Sequence, residues 1–245
     1  MEDTNKTTTS LDHRPYRPKQ LTTEDIRAGC ITLYGKDATE TEICVMNEEM
    51  RQGLEFMDTV EKSITIFGSA RTKEGDKYYE KARRIGYRAA KELGVAMVTG
   101  GGPGIMEAGN RGAYEANGRS IGMNIVLPHE QITNPYLTDS LPFYFFFTRK
   151  TAMQYASEVY LFFPGGFGTL DEFFGALTLV QTKKISQVPI ILVGETFWKP
   201  LESFIQERFV GEGMISPEDI NLYTVTDDED LIMDIISKSE KRRNI

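Results

Sequence analysis

The chain has 245 residues, 40% of them apolar and 11% aromatic, which is enough to build a normal core, and its formal net charge is −8 at pH 7. That acidic balance excludes a surface that coats nucleic acid, which needs a basic field to displace counterions, but it leaves room for a small local anion site. No apolar run approaches the roughly 20 residues that a bilayer span needs, and the polar beginning MEDTNKTTTSLDHRPYRPKQ lacks the apolar core of a secretory signal, so no membrane partner is expected and the expected setting is the cytoplasm.

Residues Met1 to about Lys36 carry charge, Thr and Pro with few large apolar residues. They predict a polar arm over 1–37, flexible or lying as a strap on a partner subunit, ahead of a single Rossmann-like domain with an N-terminal helix over 38–245. Cys30 and Cys44 are the only cysteines. With no CxxC spacing and no histidine cluster near either, they are expected as free, reduced thiols rather than a bridge or a zinc site. From Ala38 to Glu61, Ile43, Met46, Met50, Leu54 and Met57 recur at helical spacing and predict an amphipathic helix interrupted or ended near Gly53.

Beyond it, strand and helix alternate. SITIF (Ser63–Phe67) is a strand closed by Gly68-Ser69, and Asp76–Leu93 is a helix stopped by Gly94. VAMVT (Val95–Thr99) ends in Gly100-Gly101-Gly102, with Pro103 placed to open a helix that runs to about Asn117-Gly118. Ser120–Val126 is a strand, followed by a loop holding Pro128, Asn134-Pro135 and Pro142. A helix after Thr148, a strand at Val159–Phe163, the turn Pro164-Gly165-Gly166 and a helix from Gly168 come next. A strand at Val188–Val193, a helix from Thr196, and a last pair, Leu222–Val225 and Glu229–Ser237, finish the chain. Strands that alternate with helices of this length imply parallel pairing through right-handed crossovers, hence an α/β, doubly wound parallel sheet.

In such a sheet the turns Gly68-Ser69-Ala70-Arg71, Gly100 to Gly104 and Pro164 to Thr169 fall on the carboxyl edge, where ligands bind at the topological switch point. Glycines let the backbone approach an anion, and the helix that follows offers unpaired N–H groups and partial positive charge. The candidate phosphate site is therefore the stretch Gly165 to Thr169, with Ser69, Gly101 and Gly102 as further candidate substrate contacts. Neither GxGxxG nor GxxxxGK[ST] is present, which removes the usual dinucleotide and ATP signatures. There is no GxSxG elbow, and the only histidines, His13 and His129, lie outside the glycine turns.

Two features carry chemistry. Glu172 follows Thr169 by three residues and reads either as the acid of a capping box or as a carboxylate one turn above a bound phosphate, level with a ribose. Arg149 and Lys150 sit in the first turn of a helix, where cations oppose the helix dipole unless an anion or carboxylate compensates. Local rules tend to fail at functional sites.

GGGPGIMEAGNRGA (Gly100–Ala113), FTRKTAM (Phe147–Met153) and PGGFGTLDE (Pro164–Glu172) together resemble the LONELY GUY family of cytokinin riboside 5′-monophosphate phosphoribohydrolases, over roughly Ser63 to Gly194. The resemblance implies a modified Rossmann fold, a homodimer or higher homo-oligomer, and hydrolysis of the base–ribose bond of a nucleoside monophosphate without metal or organic cofactor. It carries the catalytic pair onto Arg149 and Glu172, the phosphate loop onto Gly165, Gly166, Gly168 and Thr169, and further substrate contacts onto Lys150 and Thr178. Thr148 stands where short plant-type members carry Glu or Gln, and the loop LPHEQITNPY and the N-terminal arm are longer, as in a bacterial-style branch. The superfamily also includes a molybdenum-cofactor carrier, so a non-catalytic nucleotide or cofactor carrier is the alternative.

Overall fold

The computed structural model describes residues 22–34, 37–126 and 133–241. Within them the apolar runs become β1 (Ser63–Phe67), β2 (Ala96–Thr99), β3 (Ser120–Ile125), β4 (Asp139–Phe143), β5 (Val159–Phe162), β6 (Ile190–Leu192) and β7 (Thr224–Val225). The helices are α1 (Thr23–Tyr34), α2 (Ala38–Asp58), α3 (Lys77–Leu93), α4 (Ile105–Glu115), α5 (Phe146–Ala156), α6 (Phe167–Gln181), α7 (Glu195–Phe204) and α8 (Glu229–Lys238). All strands pair in parallel in the order β4-β3-β2-β1-β5-β6-β7. The chain winds outward from β1 to β4, then returns through α5 to β5 on the other side of β1. The switch point is thus the β1–β5 seam, where Ile64 lies opposite Val159 and Phe67 opposite Phe162.

Both faces of the sheet are covered, and alternation along β5 divides its side chains between two cores. Tyr160 and Phe162 pack with Phe173 and Trp198 on one face, and Val159, Leu161 and Phe163 with Ile85 and Ile105 on the other. The near-continuous apolar character of the strands follows from this double burial.

Four expectations change. The region read as a flexible arm contains α1, which buries Ile26 and Cys30 against Val45 of α2; residues 1–21 lie outside the described residues. Cys30 and Cys44, expected as free thiols, form a disulfide with Cα atoms 5.8 Å apart. The packing of α1 on α2 makes that pair, and no local cysteine spacing could announce it. The predicted break at Gly53 is absent, because α2 continues to Asp58. Gly53 instead allows close approach, since a Cβ there would fall 2.9 Å from Ala152 Cβ and 3.1 Å from the Phe143 ring. The loop assigned around Pro142 contains β4, where proline is tolerated on an edge strand. His13, His129 and the loop residues 127–132 lie outside the described residues.

The buried stripe of α2 also differs from the apolar one read from sequence. Thr41, Val45, Glu49, Gly53 and Met57 face inward, while Ile43 is exposed and Met46, Met50 and Leu54 flank the buried face. A carboxylate, Glu49, thus lies in the middle of a buried helix face.

Candidate functional site

The three glycine turns meet at the switch point. Ser69, just after β1, donates its N–H to Pro164 O at 3.0 Å and accepts Ile105 N–H at 3.0 Å, so one residue ties the β5 turn to the start of α4. Its hydroxyl accepts Arg71 N–H at 3.1 Å.

The turn after β2 is closed by its own neighbours. Gly101 has φ +71°, and a Cβ there would lie 2.9 Å from Asn124 Cγ. Gly101 N–H donates to Thr99 Oγ1 at 2.9 Å, and its carbonyl accepts Asn134 N–H at 2.9 Å. Asn134 Nδ2 reaches Gly102 O and Asn110 Oδ1, both at 3.0 Å. Gly101 and Gly102, candidates for substrate contact, are buried inside this network. A Cβ on Gly100 would lie 2.9 Å from Met106 Sδ and 3.7 Å from a terminal nitrogen of Arg149, so this turn also carries Arg149 at its edge.

The turn after β5 is open. α6 begins at Phe167 with Gly166 as N-cap and no side-chain cap, so its first N–H groups have no partner within the helix. Gly166 and Gly168 have open space where a Cβ would stand, whereas a Cβ on Gly165 would fall 2.6 Å from Thr169 Cβ. Thr169 therefore packs over Gly165, and only glycine allows that approach. Because the helix starts at Phe167, Thr169 is its third residue and not its cap. The capping-box reading of Glu172 fails on that geometry.

Glu172 is buried at 8% exposure, and its Oε2 has no hydrogen-bond partner. Arg149, in the second turn of α5, likewise has a buried Nε without a partner. Burial pushes the Glu172 carboxyl up to about 7, opposed by the charges of Lys150 and Arg149. Burial also pulls the Arg149 guanidinium below its ordinary value, opposed by Glu172. The two side chains thus sense each other's charge, and neither makes an ion pair among the described residues. The Phe146 ring lies 5.3 Å from the Arg149 guanidinium carbon. Lys150 is committed to α6, with Nζ 3.0 Å from Asp171 O and 2.8 Å from Asp171 Oδ2. Lys150 and Thr178 come together on a groove of about 400 Å³ between α5 and α6 that Glu172 does not line.

Glu49 went unread in the sequence. Its carboxylate binds the residues that start α5, and the signal that could have found it is an acid at an inward position of α2. Among the described residues no cluster of three or more His, Cys, Asp or Glu could hold a metal, and no helix is long and apolar enough to cross a membrane.

A family model described as possible lysine decarboxylase matches residues 106–236. The chain is 30% identical over 162 residues to the cytokinin riboside 5′-monophosphate phosphoribohydrolase of Rhodococcoides fascians, covering 64% of this chain and 79% of that protein. To a probable cytokinin riboside 5′-monophosphate phosphoribohydrolase of Oryza sativa subsp. japonica it is 29% identical over 160 residues, covering 64% of this chain and 63% of the rice protein. In fold it resembles the molybdenum cofactor carrier protein of Chlamydomonas reinhardtii, with a TM-score of 0.53 at 21% identity over 73% of this chain and 99% of that one.

Proposed function

The chain belongs to the LONELY GUY family, the one whose model is described as possible lysine decarboxylase, and from that premise we propose that it hydrolyses the N-glycosidic bond of a nucleoside 5′-monophosphate to free base and ribose 5-phosphate. The observation that carries this reading is the pair of buried, unpartnered polar atoms, Arg149 Nε and Glu172 Oε2, beside the open N-terminus of α6. A buried polar atom without a partner costs about 1–3 kcal/mol, a cost that a fold with no use for the pair would avoid by apolar replacement.

The uncapped N–H groups of Phe167, Gly168 and Thr169 take the 5′-phosphate, and the open faces of Gly166 and Gly168 admit its oxygens. The ribose then lies toward Glu172. As the bond from the anomeric carbon to the base nitrogen lengthens, positive charge grows on that carbon. The ionised Glu172 carboxylate stabilises the charge and takes the proton that water releases as its oxygen bonds to the anomeric carbon, and that proton passes to the departing base nitrogen, which returns Glu172 to its ionised form. Arg149 holds Glu172 toward its ionised form and sits at Gly100 to meet the nucleotide. Phosphate binding remote from the bond supplies positioning.

Lysine decarboxylation has no support in the geometry. Lys150 Nζ is engaged by Asp171 rather than held as a free amine nucleophile. The half-buried Leu170, Phe174 and Leu177 of α6 are assigned to contact with a second copy, which makes the protein a homo-oligomer.

The test is incubation with AMP and with isopentenyl-AMP, followed by chromatography of the products. Free base and ribose 5-phosphate in equal amounts support the reading. Tight nucleotide binding with no base released after prolonged incubation would make the protein a carrier.

A further inference from the structure

The start of α5 has no side-chain cap of its own, and α2 brings a carboxylate to it. Glu49 is 2% exposed and lies one turn from Val45 and from Gly53 on the buried stripe of α2. Its Oε1 accepts Tyr144 N–H at 2.6 Å, and its Oε2 accepts Phe145 N–H at 3.3 Å. The Thr148 hydroxyl lies 2.9 Å from the same Oε2 and 2.8 Å from Phe145 O, with one proton to share between them. These donors bracket the first turn of α5, whose N-cap, Phe145, has no side-chain acceptor of its own.

A carboxylate at that end satisfies N–H groups that the helix leaves open and complements the positive end of the helix dipole, one turn ahead of Arg149. Gly53 then fixes the spacing by letting α2 touch α5 at Ala152. We propose that Glu49 is a positioning residue: by holding the first turn of α5 it sets the Arg149 guanidinium at Gly100 and opposite Glu172, without touching the nucleotide.

This role rests on the hydrolase reading for its kinetic consequence but not for its structural one, and the experiment separates the two. Glu49→Gln keeps the shape, removes the charge and turns an N–H group toward donors. The control is Glu48→Gln, whose parent carboxylate is partly exposed and pairs with Arg51 on the same helix. With arginine labelled in ¹⁵N, the Arg149 Nε–H resonance is assigned by its loss in Arg149→Ala.

In Glu49→Gln that resonance is expected to shift or broaden while the other arginine signals stay, and in Glu48→Gln it stays. Base release from AMP is expected to fall about tenfold to a hundredfold, the scale of a misplaced catalytic group. In an Arg149→Ala background the same change adds nothing to the loss of rate, although it still lowers the melting temperature. If Glu49→Gln does not fold, Thr148→Val removes one contact and leaves the carboxylate in place, and Thr148→Ser, which keeps the hydroxyl, restores the parent resonance.

A folded Glu49→Gln, or a Thr148→Val, with the Arg149 resonance unmoved overturns the proposal and leaves Glu49 a helix cap. An equal loss of rate with and without Arg149 overturns it as well. A parent protein that releases no base defeats the hydrolase reading alone, and the resonance still decides the role of Glu49.

Discussion

The glycine turns after β2 and after β5 look alike in sequence and do different work. Gly100 to Gly104 is packed shut: Asn124 fills the Cβ position of Gly101, and Asn134 binds both Gly101 and Gly102. Gly166 and Gly168 face open space at an uncapped helix N-terminus. The first turn needs glycine so that the protein can close on itself, whereas Gly166 and Gly168 of the second meet nothing of the protein and leave room for the proposed phosphate. A glycine run therefore marks close approach without saying what approaches, and the side chains around it decide.

That contrast can be broken by adding one methyl to each turn. Gly101→Ala places a Cβ at φ +71° against Asn124. The left-handed conformation costs about 1–2 kcal/mol and overpacking about 1–3 kcal/mol more, so a loss of stability of roughly 2–5 kcal/mol is expected in urea unfolding. Gly166→Ala adds its methyl to open space at φ −94°. Its stability should stay within about 0.5 kcal/mol of the parent, while its affinity for AMP falls about tenfold to a hundredfold, the scale of one methyl forced into a filled site. Equal stability losses in the two variants, or unchanged nucleotide affinity in Gly166→Ala, would erase the distinction.

A smaller effect sharpens it through pH. The buried Glu172 carboxyl is pushed up to about 7, above the value of about 4.3 for an unperturbed glutamate. Below that lower value the group is protonated whether the chain is folded or not, and no penalty arises. As pH rises toward 7 the unfolded chain releases its proton while the folded chain keeps it, so stability falls, and above 7 the penalty is complete. Glu172→Gln removes the penalty. Its melting temperature relative to the parent should therefore rise between pH 5 and pH 8, by the equivalent of about 2–3 kcal/mol. A difference that is flat across that range would mean the carboxyl is not held up by burial.

Much of this was legible in the sequence, for reasons that particular residues make plain. Ser63–Phe67 and Val159–Phe163 announce buried parallel strands because both faces of the sheet are covered. Pro164 to Thr169 announces a loop-to-helix turn because only local chain geometry is needed to build one. The conflict of Arg149 and Lys150 with the helix dipole was visible too. The carboxylate that Glu49 brings to the start of that helix was not, since Glu49 and Thr148 meet by tertiary packing at a sequence separation of 99. The Cys30–Cys44 bridge was missed for the same reason, and β4 because Pro142 reads as a breaker until the strand is known to be an edge.

The central claim, that Glu172 is a reacting carboxylate and not a helix cap, is tested most directly by base release from AMP in Glu172→Gln. The phosphate loop is untouched, so AMP should still bind with near-parent affinity. Turnover should fall by at least about a hundredfold, equivalent to roughly 2.7 kcal/mol of lost transition-state stabilisation. Base release at the parent rate by a folded, AMP-binding Glu172→Gln would contradict the account.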